Sequence, residues 1–332
     1  MQQACVGCIG AGEQDRSPAD GQHVHAASLP AAAKGYSTTV AADRPQRDQP
    51  HRHQPDQHQP NQHQHPPNQH PPNRVTIDLN ADVGEGFGPW RMGDDAAMLE
   101  VVTSANIACG FHAGDPQTMR RTIDAALSKG VAIGAHVAYP DLRGFGRRET
   151  GLPTADVVDD IAYQLGALTA VARVAGATVR HVKPHGALYH RLSSDAELAQ
   201  ALVAAVQSVD PELVLVAAPG AVALAAAAAA GLAAVAEGFA DRGYQADGRL
   251  VSRGEAEGVL DNADAVAQRA VRMVTQGGVT AVDGSWVPLP VATLCVHGDS
   301  PGAVGMATAV RAALHEAGIA LAPVRTGEGL PA

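Results

Sequence analysis

This 332-residue chain lacks the glycine signatures that cradle a nucleotide's phosphates. No Gly-x-Gly-x-x-Gly follows an apolar run, and no Gly-x-x-x-x-Gly-Lys-Ser/Thr occurs. Gly84-Glu85-Gly86-Phe87-Gly88 has the wrong spacing and carries an acid where a phosphate would approach. Basic charge is also scarce. There are 24 Lys and Arg against 34 Asp and Glu, a formal net charge of −10, which argues against a general nucleic-acid surface. No apolar run has membrane-spanning length. Residues 221–236 are Ala-rich, but Gly231 interrupts them and they read as helix, turn and strand. Cysteine is limited to four. Cys5 and Cys8 form a Cys-x-x-Cys without a surrounding strand–helix pattern or a second pair at zinc spacing, which argues against a redox or zinc site. Cys109 and Cys295 fall at or near predicted strand ends and read as reduced thiols. No charged segment followed by an apolar core opens the chain, so a cytoplasmic location is expected.

What is present divides near residue 73. Residues 1–73 hold 8 of the 15 His and are rich in Pro, Gln and Asn. So little apolar surface cannot offset the entropy of ordering, and this stretch is expected to be a disordered tail. Its histidines would bind metal only weakly. The second part, residues 74–325, has the length expected of one α/β barrel of about 250 residues.

Seven short apolar runs recur in that second part: 75–79, 105–108, 131–135, 179–182, 213–217, 233–236 and 292–296. Amphipathic stretches separate them. Asp115 and Pro116 open a helix that Gly130 closes. Thr154 is expected to cap a helix over 155–175, and further helices are expected at 94–102, 196–209, 221–230, 263–276 and 302–317. Asp283-Gly284 marks a small hairpin within 279–287. Strands alternating with helices imply parallel pairing. Seven units predict a distorted seven-stranded parallel (β/α) barrel, with an open doubly wound sheet as the alternative.

Most of these runs end in polar clusters, and in a parallel barrel every strand's C-terminal end faces one rim. Asp78, Asn80 and Asp82 alternate on the first strand and so share a face. Asp78 is the deepest and reads as structural; Asn80 and Asp82 lie nearer the rim. The Gly84-Glu85-Gly86 turn carries Glu85 across the mouth. His112 follows the second strand, beside Gly110 and Gly114, and His136 ends the third. His181 and Lys183 share one face of the fourth. Burying a lysine is expensive without a partner, so Lys183 marks function: it binds a carboxylate or holds Asp82 ionised. His185 is either a proton carrier or a loop histidine. The Gly-rich stretch 238–258 reads as a lid, in which Arg242 clamps a carboxylate or pairs with Asp241 at the surface. His297 and Asp299 repeat the theme after the last strand, where Asp299 is also placed to cap the final helix. Asp82, His112 and His136 would be the ligands if a metal is present, although their spacing is not diagnostic.

Residues 77–86, 104–115, 134–136, 180–186 and 239–244 closely resemble the LamB/YcsF family, and the similarity runs in order from about Val75 to about Ala322. The resemblance implies a barrel like that of glycoside hydrolases and deacetylases. It implies ATP-driven cleavage of 5-oxoproline to glutamate, carried out jointly with the B and C subunits of 5-oxoprolinase. Because the chain lacks a phosphate cradle, ATP would be bound mainly by those partners. Under the resemblance, Asp82 or His185 activates water, Lys183 steadies the substrate carboxylate or the developing oxyanion, and His112 and His136 transfer protons or orient the substrate. Asn80, Glu85, Arg242 and His297 bind substrate. A metal-dependent deacetylase of N-acyl sugars and a non-catalytic lactam carrier are the alternatives.

Overall fold

The computed structural model describes residues 75–298 and 302–324. The tail with its Cys5–Cys8 pair, and Asp299, lie outside the described residues.

The elements run β1 (Thr76–Val83), α1 (Asp95–Met98), β2 (Ser104–Ala108), α2 (Pro116–Lys129), β3 (Ala132–Val137) and α3 (Thr154–Val174). They continue with β4 (Val179–Pro184), α4 (Gly186–Arg191), α5 (Ala196–Val209), β5 (Val214–Ala217), α6 (Val222–Ala230) and β6 (Ala234–Phe239). The chain ends with α7 (Ala263–Gln276), β7 (Gly278–Thr280), β8 (Trp286–Pro288), β9 (Thr293–Cys295), α8 (Ala303–Glu316) and β10 (Ala320–Leu321). Strands β1 to β6 pair in sequence order, all parallel, and β9 pairs with both β6 and β1. The result is a closed seven-stranded parallel barrel. β10 pairs with Thr76 and Ile77 at the start of β1, ahead of the residues that pair with β2. β7 and β8 form the expected antiparallel hairpin.

Strand alternation sorts the side chains. On β1, Ile77, Leu79, Ala81 and Val83 join the apolar layer between barrel and helices, while Asp78, Asn80 and Asp82 alternate with them and make polar contacts with the other strands. Helix α5 supplies Leu198, Leu202 and Val206 to that layer at helical spacing. Truncating a wholly buried leucine such as Leu202 costs about 2–5 kcal/mol.

Some of the expected helix ends are present and others differ. The Asp115 carboxylate accepts hydrogen bonds from the backbone N–H groups of Gln117 and Thr118, and Gly130 closes α2 in the left-handed conformation. Thr154 does not cap α3; Pro153 holds the N-cap place without a side-chain hydrogen bond, and Thr154 is the first helical residue. Strands β1 and β4 run past their apolar runs, to Val83 and Pro184, so Asp82 and Lys183 lie on strand, where their alternation placed them.

The stretch after β6 is tied down. Arg242 donates to the carbonyls of Gly258 and Val251, and its backbone bridges to Val259. Tyr244 accepts from the Phe239 N–H, and the Leu260 N–H donates to the Asp241 carbonyl. In this structure the expected lid is a braced wall.

Candidate functional site

A polar network crosses the barrel interior from β1. Asp78 accepts hydrogen bonds from Thr103 (2.6 Å), Ser104 (2.7 Å) and Thr293 (2.6 Å). Burial raises its pKa to about 6, even though these three hydroxyls pull it down. One step toward the mouth, Asn80 donates to Thr293 and to Glu237 (3.0 Å). The Asn106 amide donates to Asn80 and to Asp82 (2.9 Å), while the Asn106 oxygen accepts from His181 Nε2 at 2.8 Å. His181 is neutral: burial, then Lys183 and His136, push its pKa down to about 3. Gly134 makes room for that ring. β3 shifts register there, and a Cβ on Gly134 would fall inside the His181 imidazole.

Lys183 stands at the centre. Its Nζ lies 2.9 Å from Asp82 Oδ1, 2.9 Å from Glu237 Oε1 and 3.2 Å from Cys295 Sγ. Burial alone would lower the lysine's pKa, but the Asp82 and Glu237 charges hold it well above the ordinary value. Asp82 is the counterpart: burial opposes its ionisation, yet His136 and Lys183 keep it well below the usual carboxylate range. Both groups are therefore charged. Of the two roles open to Lys183, holding Asp82 ionised is the one its hydrogen bonds serve.

Four residues named from sequence gather beside Asp82. His136 Nε2 lies 3.2 Å from Asp82 Oδ2 and 3.0 Å from His185 Nδ1. His112 stacks on His185 with centroids 3.9 Å apart, and its Nε2 meets Glu85 Oε1 at 3.2 Å. Burial, then neighbouring imidazoles, hold His112 and His185 well below the usual histidine range. Glu85, His112, His136 and His185 bring possible ligand atoms within 4.8 Å of one another, whereas Asp82 groups in that sense with Cys295 and His297. The Asp82–His112–His136 set expected from sequence is not the one the fold assembles.

On the opposite side, the His297 N–H at Nδ1 donates to Asp241 Oδ2 at 2.8 Å, and its ring stacks on Phe239. Burial would raise the Asp241 pKa, but His297 brings it below normal. His297 Nε2 makes no hydrogen bond among the described residues, and the ring lines the cavity. Asp241 thus pairs with His297, not with Arg242. Arg242 is buried, not superficial; desolvation lowers its pKa to about 10, and it braces the loop after β6.

Asp82, His136, Lys183, His185, Glu85, Arg242 and His297 all line one cavity of about 1010 Å3 at the C-terminal ends of the strands. His112 sits behind it, under the smaller pocket that Phe87 and Trp90 cover, and Asn80 lies below the floor. Glu237 and Tyr189 were assigned no role from sequence. Glu237 Oε2 and the Tyr189 hydroxyl are buried in the cavity wall without a well-formed hydrogen bond among the described residues, yet the Glu237 carboxylate lies close enough to the Tyr189 hydroxyl to add to burial in pushing its pKa well up. The one sequence signal for Glu237 was an acid inside an otherwise apolar strand.

The fold and site define a parallel barrel whose interior polar network opens into one cavity at the catalytic face of that architecture. The LamB/YcsF family model matches residues 77–329, and the chain belongs to the LamB/YcsF family. It is 55% identical over 247 residues to the A-type subunit of 5-oxoprolinase from Mycolicibacterium gilvum, covering 74% of this chain and 98% of that protein. It is 53% identical to a 5-oxoprolinase A-type subunit of Agrobacterium fabrum, over 74% and 97% of the two chains. Among solved structures, the lactam utilization protein from Thermus thermophilus matches with a TM-score of 0.72 and 43% identity, covering 75% of this chain and all of that one. No helix among the described residues is long and apolar enough to cross a membrane.

Proposed function

We propose that this chain is the ring-opening component of an ATP-dependent 5-oxoprolinase, hydrolysing 5-oxo-L-proline to L-glutamate together with B and C subunits in the cytoplasm. The observation that carries the reading is the match along nearly the full length of relatives named as A-type subunits of 5-oxoprolinase, with the cavity's polar residues inside the matched region.

The chemistry is consistent with it. A five-membered lactam carries little strain and its carbonyl is a poor electrophile, so opening it needs coupling to ATP. The cavity floor does not suit a triphosphate: Asp82, Glu85 and Glu237 are carboxylates, and the one lysine among them is already held by two. Nucleotide binding and activation of the lactam are therefore assigned to the partner subunits. Arg147 and Arg253 line the outer cavity, where they would meet the substrate's negative charge.

Of the bases suggested by sequence, His185 is buried with Nε2 bonded to the Phe145 carbonyl and Nδ1 turned to His136, and Asp82 is stabilised as an anion. His297 is better placed. Asp241 fixes the proton on Nδ1, so Nε2 is free to take a proton from the attacking water. The Tyr189 hydroxyl is the donor for the developing oxyanion. Lys183 keeps the floor charged and rigid.

The test is reconstitution: the chain is mixed with its B and C partners, 5-oxoproline and ATP, and glutamate is measured. Glutamate that forms only when all components are present supports the reading. Glutamate formed equally well without this chain would end it.

A further inference from the structure

His136 and His185 meet in a way that neutral imidazoles cannot satisfy alone. His136 Nδ1 lies 2.9 Å from the Lys183 carbonyl, and His185 Nε2 lies 2.8 Å from the Phe145 carbonyl. A carbonyl only accepts, so each of those nitrogens carries the ring's hydrogen. The other two nitrogens, His136 Nε2 and His185 Nδ1, then turn lone pairs toward each other across 3.0 Å. Glu85 Oε1, also an acceptor, lies 3.8 Å from His185 Nδ1. Asp82 Oδ2 lies 3.2 Å from His136 Nε2 as well, so two lone pairs and two carboxylates converge here, and a positive charge, as a proton on His136 or as a metal ion, belongs among them.

We infer that His136, His185 and Glu85 form a site for one divalent transition-metal ion of the zinc–cobalt class. Three features support a metal. Ligand atoms about 2.0–2.1 Å from a tetrahedral ion lie roughly 3.3 Å from each other, and the observed 3.0 and 3.8 Å bracket that figure. Each histidine donates its far N–H to a backbone carbonyl, the usual support for a metal-bound imidazole, while His112 Nε2 contacts the same Glu85 oxygen, Oε1, at 3.2 Å. All three ligands line the large cavity, so the ion has a way in and an open position facing that cavity. Two imidazoles and a carboxylate suit this class of metal and not magnesium or calcium. The inference concerns binding and does not depend on the lactam reading.

Cobalt(II) is the probe. The full chain, stripped with a chelator, is titrated with Co2+ beside His136→Gln and His185→Gln. The His-rich residues 1–73 are present in all three proteins, so their binding cancels in the comparison. The expected result is one extra equivalent in the parent, giving the intense visible bands of four-coordinate cobalt, displaced by Zn2+ and absent from both variants. The ion should also raise the parent's thermal midpoint and leave the variants' unchanged. If a variant fails to fold, the spectrum of the parent carrying Cys5→Ser and Cys8→Ser decides, because exposed histidines alone give only weak six-coordinate bands whereas a Cys-x-x-Cys pair gives intense ones. Equal binding by all three proteins, or no four-coordinate spectrum in the parent, overturns the inference; the opposed nitrogens would then share a proton.

Discussion

Replacing Lys183 by methionine tests the central ion cluster. The change keeps the bulk of the side chain and removes only its charge and donors. Lys183 is 2% exposed and touches two carboxylates, each at 2.9 Å. At an effective dielectric near 20, each contact is worth about 6 kcal/mol in gross Coulomb energy. Desolvation cancels much of that in the native protein, but deleting the lysine leaves the carboxylates buried without compensation, which costs about 3–5 kcal/mol. The loss should depend on pH. At pH 8 Asp82, deprived of the lysine that holds it ionised, stays buried as an anion or binds a proton unfavourably, whereas nearer pH 5 it takes up a proton more easily. Urea unfolding at the two pH values gives the assay, read as the midpoint at constant slope. Lys183→Met should lose more stability at pH 8 than at pH 5, and Glu237→Gln added to it should recover part of the loss at pH 8. A variant as stable as the parent at pH 8, or one with the same loss at both values, would refute the cluster's role.

Asp78 predicts a pH dependence in the opposite region from an ordinary carboxylate. Its folded pKa of about 6 exceeds the ordinary 3.8, so its stabilisation is full below about pH 4 and is lost as pH rises through 6. The span corresponds to about 3 kcal/mol, and urea midpoints across that window should fall in the parent and stay flatter in Asp78→Asn. Gly134→Ala should collide with the His181 ring, lowering the thermal midpoint and the activity together; a variant with an unchanged midpoint would show that the ring has room. His297→Gln should cut kcat for glutamate formation in the reconstituted complex by about 100-fold or more while the fold persists. Asp241→Asn should lower kcat less and shift the pH–rate profile, since it reaches the substrate only through His297.

Much of the fold was legible because period-2 and period-3.6 patterns are local. The seven apolar runs are the seven barrel strands, and the caps at Asp115 and Gly130 follow their local signals. Boundaries slipped where tertiary pairing extended a strand beyond its apolar core, as at Asp82 and Lys183, whose charges satisfy one another across the barrel. α4 was missed, being one short helix stabilised by its place after β4. The loop after β6 read as a lid because glycine content signals freedom; Arg242 removes that freedom through two carbonyls that no sequence pattern announces.

Chemical type and strand position belong to the sequence alone: which residues are polar, which alternate, and which of them therefore face a common rim. Family membership follows from the same information. Partnership belongs to the tertiary structure. Whether Lys183 meets a substrate or Glu237, whether Asp241 serves Arg242 or His297, and whether His136 faces His112 or His185 are set by barrel closure and register. These bring Lys183 to 2.9 Å from Asp82, 101 positions earlier in the chain. At such separations the outcome depends on angles and distances summed over the whole sheet, and no local pattern carries that sum.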